Sequence, residues 1–401
     1  MTHTELTLTE FKSSFYSGIF SSRFLNENST ANINANINST KNIVGEACNW
    51  NNAGQANIPI VNQKKMQEWL ERFYKEGALA AMDGWAETEA VRKKLARFLG
   101  AEVAEVAYFP TTASALSQAA LGIPLKKDDE ILTWDQEYPS NFYPWRLAAE
   151  RAGAKVVSVA STNWQTPYES ILSRITPKTK VIAVSWVQYQ TGAVTDLRSI
   201  AEHVKGKDIW LVADVIQGVG VRPFNFQDSG FDIVCGGSHK WLCSSYGASF
   251  MLIKNERIKQ LNLIEVGAMT YGDPDTVKSY TIEPKETAHR FEPGSKAMLE
   301  IIALGATLDL FQAVGIREIY KEACRLADEL RAGLVTKGFQ VYGFEGPIVT
   351  FSASDPKLLA RMAEQLSAAR MAFAKRGPGI RLSPHAYNHD EELYRILSVL
   401  I

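Results

Sequence analysis

Residues 209–220 read IWLVADVIQGVG, and residues 231–245 read FDIVCGGSHKWLCSS. Each begins as a short apolar run and ends in turn residues, the pattern of a strand buried on both faces. The first run stops at Asp214, with Gln217, Gly218 and Gly220 behind it. The second stops at two glycines, and Lys240 follows between His239 and Trp241. Taken singly, Asp214 serves equally as a turn or cap residue, and Lys240 as a solvated surface lysine. Taken together, two consecutive strand ends would aim an acid and an amine into one crevice. A lysine desolvated there has a lowered pKa and becomes a nucleophile toward an aldehyde.

Working outward, the same alternation continues. Strands are expected at EVAYF (105–109), EILTW (130–134), KVVSV (155–159), KVIAVSWV (180–187) and ASFMLIK (248–254). Helical stretches lie between them, at TTASALSQAALG (111–122), YPWRLAAERAG (143–153) and LRSIAEHVKG (197–206). Strands separated by helices give an α/β fold, a mostly parallel mixed sheet sandwiched by helices. Ligands of such sheets bind at the carboxyl ends of the strands. Upstream, 63–99 has the period of one amphipathic helix, with Gly100 as its C-cap. From about residue 296 a long helical region begins, followed by the short strands GFQVYG, IVTFSA and IRLSP, which reads as a smaller α+β domain. The division expected is 1–64 as an N-terminal arm and part of the small domain, 65–298 as the large domain, and 299–401 as the small domain. Residues 26–42, NENSTANINANINSTKN, are low in complexity and expected to form a loop or mobile arm.

Composition narrows the function class. The chain has 401 residues, 46% of them apolar and 22% charged, with a net charge of −1. No basic field points to nucleic acid or an anionic membrane. No apolar run approaches the roughly 20 residues that span a bilayer. The N-terminus lacks a charged-then-apolar signal pattern, so a cytoplasmic setting is expected. Cys48, Cys235, Cys243 and Cys324 are far apart, with no metal-type pair, and read as buried thiols; no metal is expected.

Three further stretches carry chemistry. TTASA (111–115) joins a strand to a helix, where backbone N–H groups suit a phosphate, although an ordinary N-cap explains it equally well. HRFEPGS (289–295) and GIRLSPHAYN (379–388) each place an arginine beside turn residues, suited to a carboxylate or to a structural ion pair. An aldehyde for Lys240, a basic ring nitrogen for Asp214 and a phosphate for the TTASA turn describe one ligand, pyridoxal 5′-phosphate.

The set ADVIQG, GSHKW, RFEPGS and IRLSPHAYN, in that order, resembles the class V branch of the fold-type I pyridoxal-phosphate enzymes. That branch includes cysteine desulfurases, cyst(e)ine lyases, isopenicillin N epimerase-like enzymes, kynureninase and several aminotransferases. The resemblance runs from NNAGQANIP (51–59) to the YNHDEEL segment near the end. It implies that Lys240 carries the cofactor as a Schiff base and that Asp214 pairs with the pyridine nitrogen. It places Gln217, and Gln188 or Tyr189, beside the ring hydroxyl, Tyr138 stacked on the ring, and His239 at the phosphate or ring. Thr112, Ala113 and Ser114 match the phosphate turn. Ser295 matches a hydroxyl reaching the partner subunit's phosphate, which implies a homodimer with shared active sites. Arg381 matches the clamp on the substrate carboxylate, and Asn52 and Gly54 the segment lining the substrate pocket.

The departures matter as much. Desulfurases carry a catalytic cysteine shortly before that arginine, whereas this chain reads AARMAFAKRGPGIR there. The histidine often found over the ring is replaced by Tyr138. Gly237 stands where many desulfurases have serine. The implied reaction is therefore at the α- or β-carbon of a small amino acid, through an aldimine and a quinonoid. The enzyme is expected to be an aminotransferase or a cyst(e)ine C–S lyase, with epimerisation as the alternative. From a different class, a non-catalytic nucleotide-binding α/β protein would use the TTASA turn, but GxGxxG and GxxxxGK[ST] are both missing.

Overall fold

The structure is a computed structural model that describes residues 6–15, 47–272, 283–343 and 345–400. The Asn-rich stretch at 26–42 lies outside the described residues.

After β1 (Cys48–Asn49), seven strands build the large sheet. They are β2 (Val106–Phe109), β3 (Glu130–Trp134), β4 (Lys155–Val159), β5 (Thr179–Ser185), β6 (Trp210–Asp214), β7 (Ile233–Gly237) and β8 (Ser249–Ile253). Their order is β2-β8-β7-β6-β5-β3-β4. Only β8 runs against its neighbours, pairing antiparallel with both β2 and β7; the other pairs are parallel. The sheet is thus mixed and mostly parallel, as the alternating pattern predicts.

The continuous apolar runs have a simple cause. Leu211 and Ala213 of β6 pack on one face with Leu95, Ile301 and Leu304, while Trp210 and Val212 pack on the other with the cluster containing Leu116, Ala119 and Trp145. With a side-chain period of two, both faces are covered and no polar position remains. Each leucine, isoleucine or valine among them contributes roughly 1.5–3 kcal/mol through burial.

The helix expected over 63–99 is two helices, Ile60–Glu76 and Ala78–Leu99. They break at Gly77, whose φ of 54° leaves the helical region and is open to glycine without steric cost. The amphipathic period survives the break, which is why the sequence reads as one segment. Gly100 ends the second helix in the left-handed conformation, its N–H donating to the Ala96 carbonyl.

Downstream, β9 (Gln340–Tyr342) and β10 (Val349–Ser352) precede a two-residue strand, β11 (Met371–Ala372), and the hairpin of β12 (Ala374–Arg376) and β13 (Gly379–Leu382). The small sheet has the order β12-β13-β10-β9 and is antiparallel throughout. β1 pairs in parallel with β11, with Cys48 opposite Met371, and Asn51 bridges to Ser383. Trp50 is buried in the core that Leu326, Phe351 and Leu382 form here. This pairing carries residues 51–54 to the mouth of the large sheet. Among the described residues, no single helix is long and apolar enough to cross a membrane.

Candidate functional site

The carboxyl ends of β2, β3, β6 and β7 open on a cavity of about 400 Å³. Its wall holds Thr112 and Ala113 after β2, Tyr138 after β3, Asp214 and Gln217 from β6 onward, and His239 and Lys240 after β7. The small sheet contributes Arg376 and Arg381, and the segment after β1 contributes Ala53 and Gly54.

Asp214 is only 4% exposed. Its Oδ1 accepts the Ile216 N–H at 3.0 Å. Burial pushes the carboxyl up to about 6, against the Ile216 hydrogen bond and the Lys240 charge, which favour the anion. Burial also lowers Lys240 to about 8, with Asp214 pulling it upward and Arg381 and Arg376 pushing it further down. The amine is therefore partly neutral near pH 8, as a nucleophile requires. Lys240 Nζ lies 5.6 Å from the centroid of the Tyr138 ring, which meets Tyr189 edge-on at 5.0 Å.

At the other end of the cavity, the helix Thr112–Gly122 begins. Thr111 and Ser114 form a reciprocal capping box: the Ser114 N–H donates to Thr111 Oγ1 at 3.0 Å, and the Thr111 N–H to Ser114 Oγ at 3.1 Å. Ser114 is thus committed to the cap and does not line the cavity, whereas Thr111, Thr112 and Ala113 do. The first-turn N–H groups of Thr112 and Ala113 have no acceptor within the helix. Thr112 Oγ1 is buried with no hydrogen-bond partner. Gly237 faces it closely: a Cβ there would come within 2.7 Å of Thr112 Oγ1 and 3.0 Å of Ser249 Oγ. Ser249, at the start of β8, also lines the cavity and was not singled out from sequence. His239 stacks on Tyr246 with centroids 4.5 Å apart, and burial lowers its pKa to about 4, so it is neutral at pH 7.

Arg381 is 2% exposed and is anchored by uncharged groups. It donates through Nη1 to the Tyr189 carbonyl at 2.6 Å and through Nη2 to Asn51 Oδ1 at 2.9 Å. Its Nε is buried without a partner. Asn51 therefore makes the contact, while Asn52 is fully buried, donating to the Ser383 carbonyl at 2.8 Å. Gln217 donates to the Ala53 carbonyl and accepts from Trp241 Nε1, both at 3.0 Å, and is held rigidly at the cavity wall. Gln188 lies behind the wall, with Nε2 donating to Glu137 at 3.3 Å and Oε1 unpartnered. Ser295 is exposed and lies outside this chain's cavity.

Glu137 does not stand out in the sequence because it is one of two acids in the polar run DQEYPSN. It is buried and accepts from the Ser185 N–H at 2.6 Å, from Ser185 Oγ at 2.5 Å and from Asn141 Nδ2 at 3.0 Å. Burial raises it to about 7, and the Asp214 charge adds to the rise.

Residues 49–355 match the model of the family described as Aminotransferase class-V. An uncharacterized aminotransferase, YcbU, of Bacillus subtilis is 25% identical over 325 residues, 80% of this chain and 86% of that one. A probable cysteine desulfurase of Methanothermobacter thermautotrophicus is 24% identical over 76% of this chain and 80% of its own length. A kynureninase of Deinococcus radiodurans is 27% identical over 67% of this chain and 65% of its own. Among solved structures, a cysteine desulfurase of Thermococcus onnurineus superposes with a TM-score of 0.81 at 20% identity, covering 88% of this chain and 94% of that one. The cystine C–S lyase C-DES, in complex with its product cysteine persulfide, gives 0.82 at 20% identity, covering 89% and 98%. At that identity the superpositions establish the fold.

Proposed function

Because the chain belongs to the class-V aminotransferase family, we propose that it is a pyridoxal-phosphate enzyme acting on a small amino acid, as an aminotransferase or a C–S lyase. One observation carries the reading: Lys240 and Asp214 open from neighbouring strand ends into a single cavity that Arg381 closes from the small sheet. The residues present fit the cofactor. Thr112 Oγ1 is a buried hydroxyl in want of a partner, and Asp214 is a buried carboxyl with one hydrogen bond from its own chain turn.

When bound, pyridoxal phosphate supplies an electron sink for a bond broken at the substrate's α-carbon. The N–H groups of Thr112 and Ala113, with Thr112 Oγ1 and Ser249, would hold its phosphate at the helix N-terminus. Asp214 would keep a proton on the ring nitrogen, Gln217 would meet the ring hydroxyl, and Tyr138 would cover the ring. Lys240 would fix the aldehyde carbon. Arg381 binds the substrate carboxylate and orients the Cα–H bond toward Lys240. Lys240 Nζ, lowered to about 8, is the base that takes the α-proton and returns it.

Where Lys240 would deliver that proton decides between transamination and return to the substrate, and a substrate with a leaving group on its β-carbon would instead undergo elimination. The reading uses no persulfide relay, supported by the described cavity wall, which holds no cysteine, and by Cys48, Cys235 and Cys243, buried thiols that burial holds above their ordinary pKa. Ser295, exposed beside the RFEPG turn, suits a homodimer in which it serves the partner's site. Among the described residues no two cysteines form a disulfide, which suits a reducing cytoplasm. Incubation with cysteine, cystine, alanine, kynurenine, aspartate and glutamate, with assays for sulfide, pyruvate and the pyridoxamine form, tests the reaction. Sulfide with pyruvate marks the lyase, the pyridoxamine form marks the aminotransferase, and no reaction with any amino acid would refute the proposal.

A further inference from the structure

Arg376 is a second arginine in the cavity wall that the mechanism above does not use. Its position follows from the hairpin register. Ala374 of β12 pairs with Arg381 of β13, and Arg376 pairs with Gly379. Side chains two apart share a face, and so do paired residues. Arg376 and Arg381 are therefore diagonal neighbours on one face of the hairpin, with Cβ atoms roughly 7–8 Å apart. The turn between the strands is pressed onto the large domain: a Cβ on Gly377 would come within 2.8 Å of Gln190 Oε1.

Two guanidiniums side by side repel, and a protein normally places a carboxylate between them. Here none is present. Among the described residues neither Arg376 nor Arg381 forms a salt bridge. Arg376 Nη1 donates to the Lys375 carbonyl at 3.0 Å. Among the described residues, Asp214 is the one acid in the cavity wall, and it is committed to the opposite end. The Arg376 charge reaches the site, since it lowers the pKa of Arg381, Lys240 and Tyr189. The positive charge at this rim is left for a ligand to neutralise. One α-carboxylate accounts for Arg381 only.

We propose, resting on the aminotransferase branch of the function above, that the substrate is an acidic amino acid whose side-chain carboxylate binds Arg376 while its α-carboxylate binds Arg381. The two guanidiniums then act as a ruler, selecting a short dicarboxylate over alanine, cysteine or other neutral side chains. Arg376 is exposed, so its replacement leaves the core and the Arg381 anchors untouched.

The test is calorimetric titration of the pyridoxal-phosphate-loaded protein with succinate and glutarate, which cannot react, against butyrate. A dicarboxylate should bind at least ~10-fold more tightly than butyrate, the scale of one added charge-assisted contact. Arg376→Gln should remove that preference by weakening the dicarboxylates far more than butyrate, and Arg376→Lys should restore part of it. Equal affinity for the two classes, or a preference that survives Arg376→Gln, overturns the proposal. The cofactor's absorbance in the same samples separates the two claims. Loaded protein without a dicarboxylate preference sinks the specificity alone, and protein that takes up no cofactor sinks both.

Discussion

Asp214 and Lys240 stand at the ends of adjacent parallel strands, and each opposes the effect of burial on the other. Asp214 pairs with Cys235 in the β6–β7 register, and Lys240 follows that strand. Burial makes the acid weaker and the amine less basic, while their mutual attraction favours the charged forms. The outcome is a carboxyl near 6 and an amine near 8, two groups set apart in role by environment.

Asp214→Asn keeps the shape and removes the charge. It should still load pyridoxal phosphate through Lys240, but turnover should fall by ~10²–10³-fold, the scale of losing one preorganised electrostatic group. Steady-state kinetics on samples whose loading is verified by absorbance read the effect. A turnover equal to that of the wild type would remove Asp214 from the mechanism.

Glu137 predicts a pH dependence of stability in the protein without cofactor. Its folded pKa, about 7, lies above the ordinary 4.5 because of burial. The folded state therefore binds the proton more tightly than the unfolded state. The stability this brings is complete below pH 4.5 and is lost as pH rises through about 7. Glu137→Gln has no such titration, so denaturation midpoints measured from pH 4 to pH 8 should decline less in the variant. Parallel decline in the two proteins would contradict the assignment.

Gly237→Ser imports the residue that many desulfurases carry. Its Cβ would meet Thr112 Oγ1 at 2.7 Å and Ser249 Oγ at 3.0 Å, so the wall must shift. Overpacking of this kind costs about 1–3 kcal/mol. The affinity for pyridoxal phosphate should fall with it by ~10-fold or more, because the hydroxyls displaced are those placed at the phosphate. Cofactor titration alongside denaturant unfolding separates the two effects, and unchanged cofactor affinity would move the phosphate elsewhere.

The strands were legible because burial on both faces leaves runs such as WLVAD and DIVCG with no polar interruption. The break at Gly77 was not, since the amphipathic period continues across it and only the backbone angle changes. Lys240 and Asp214 were legible as polar residues ending apolar strands. Asn51, Ser249, Glu137 and Arg376 were not, for different reasons. Asn51 reaches the site through a strand pairing with residues over 300 positions away. Ser249 is one hydroxyl at the start of an apolar strand. Glu137 and Arg376 sit in polar turns, where a charged residue is the ordinary occupant. Ser114 was assigned to the phosphate turn because the TTASA stretch does not reveal which hydroxyl closes the capping box.

The central claim is that Lys240 holds the cofactor. The direct measurement is to load the protein with pyridoxal phosphate, confirm the cofactor's visible absorption band, reduce with borohydride, and locate the label by peptide mass spectrometry. The account predicts a single phosphopyridoxyl group on Lys240, with band and label both missing in Lys240→Ala. A label on another lysine, or a band that persists in Lys240→Ala, would contradict it.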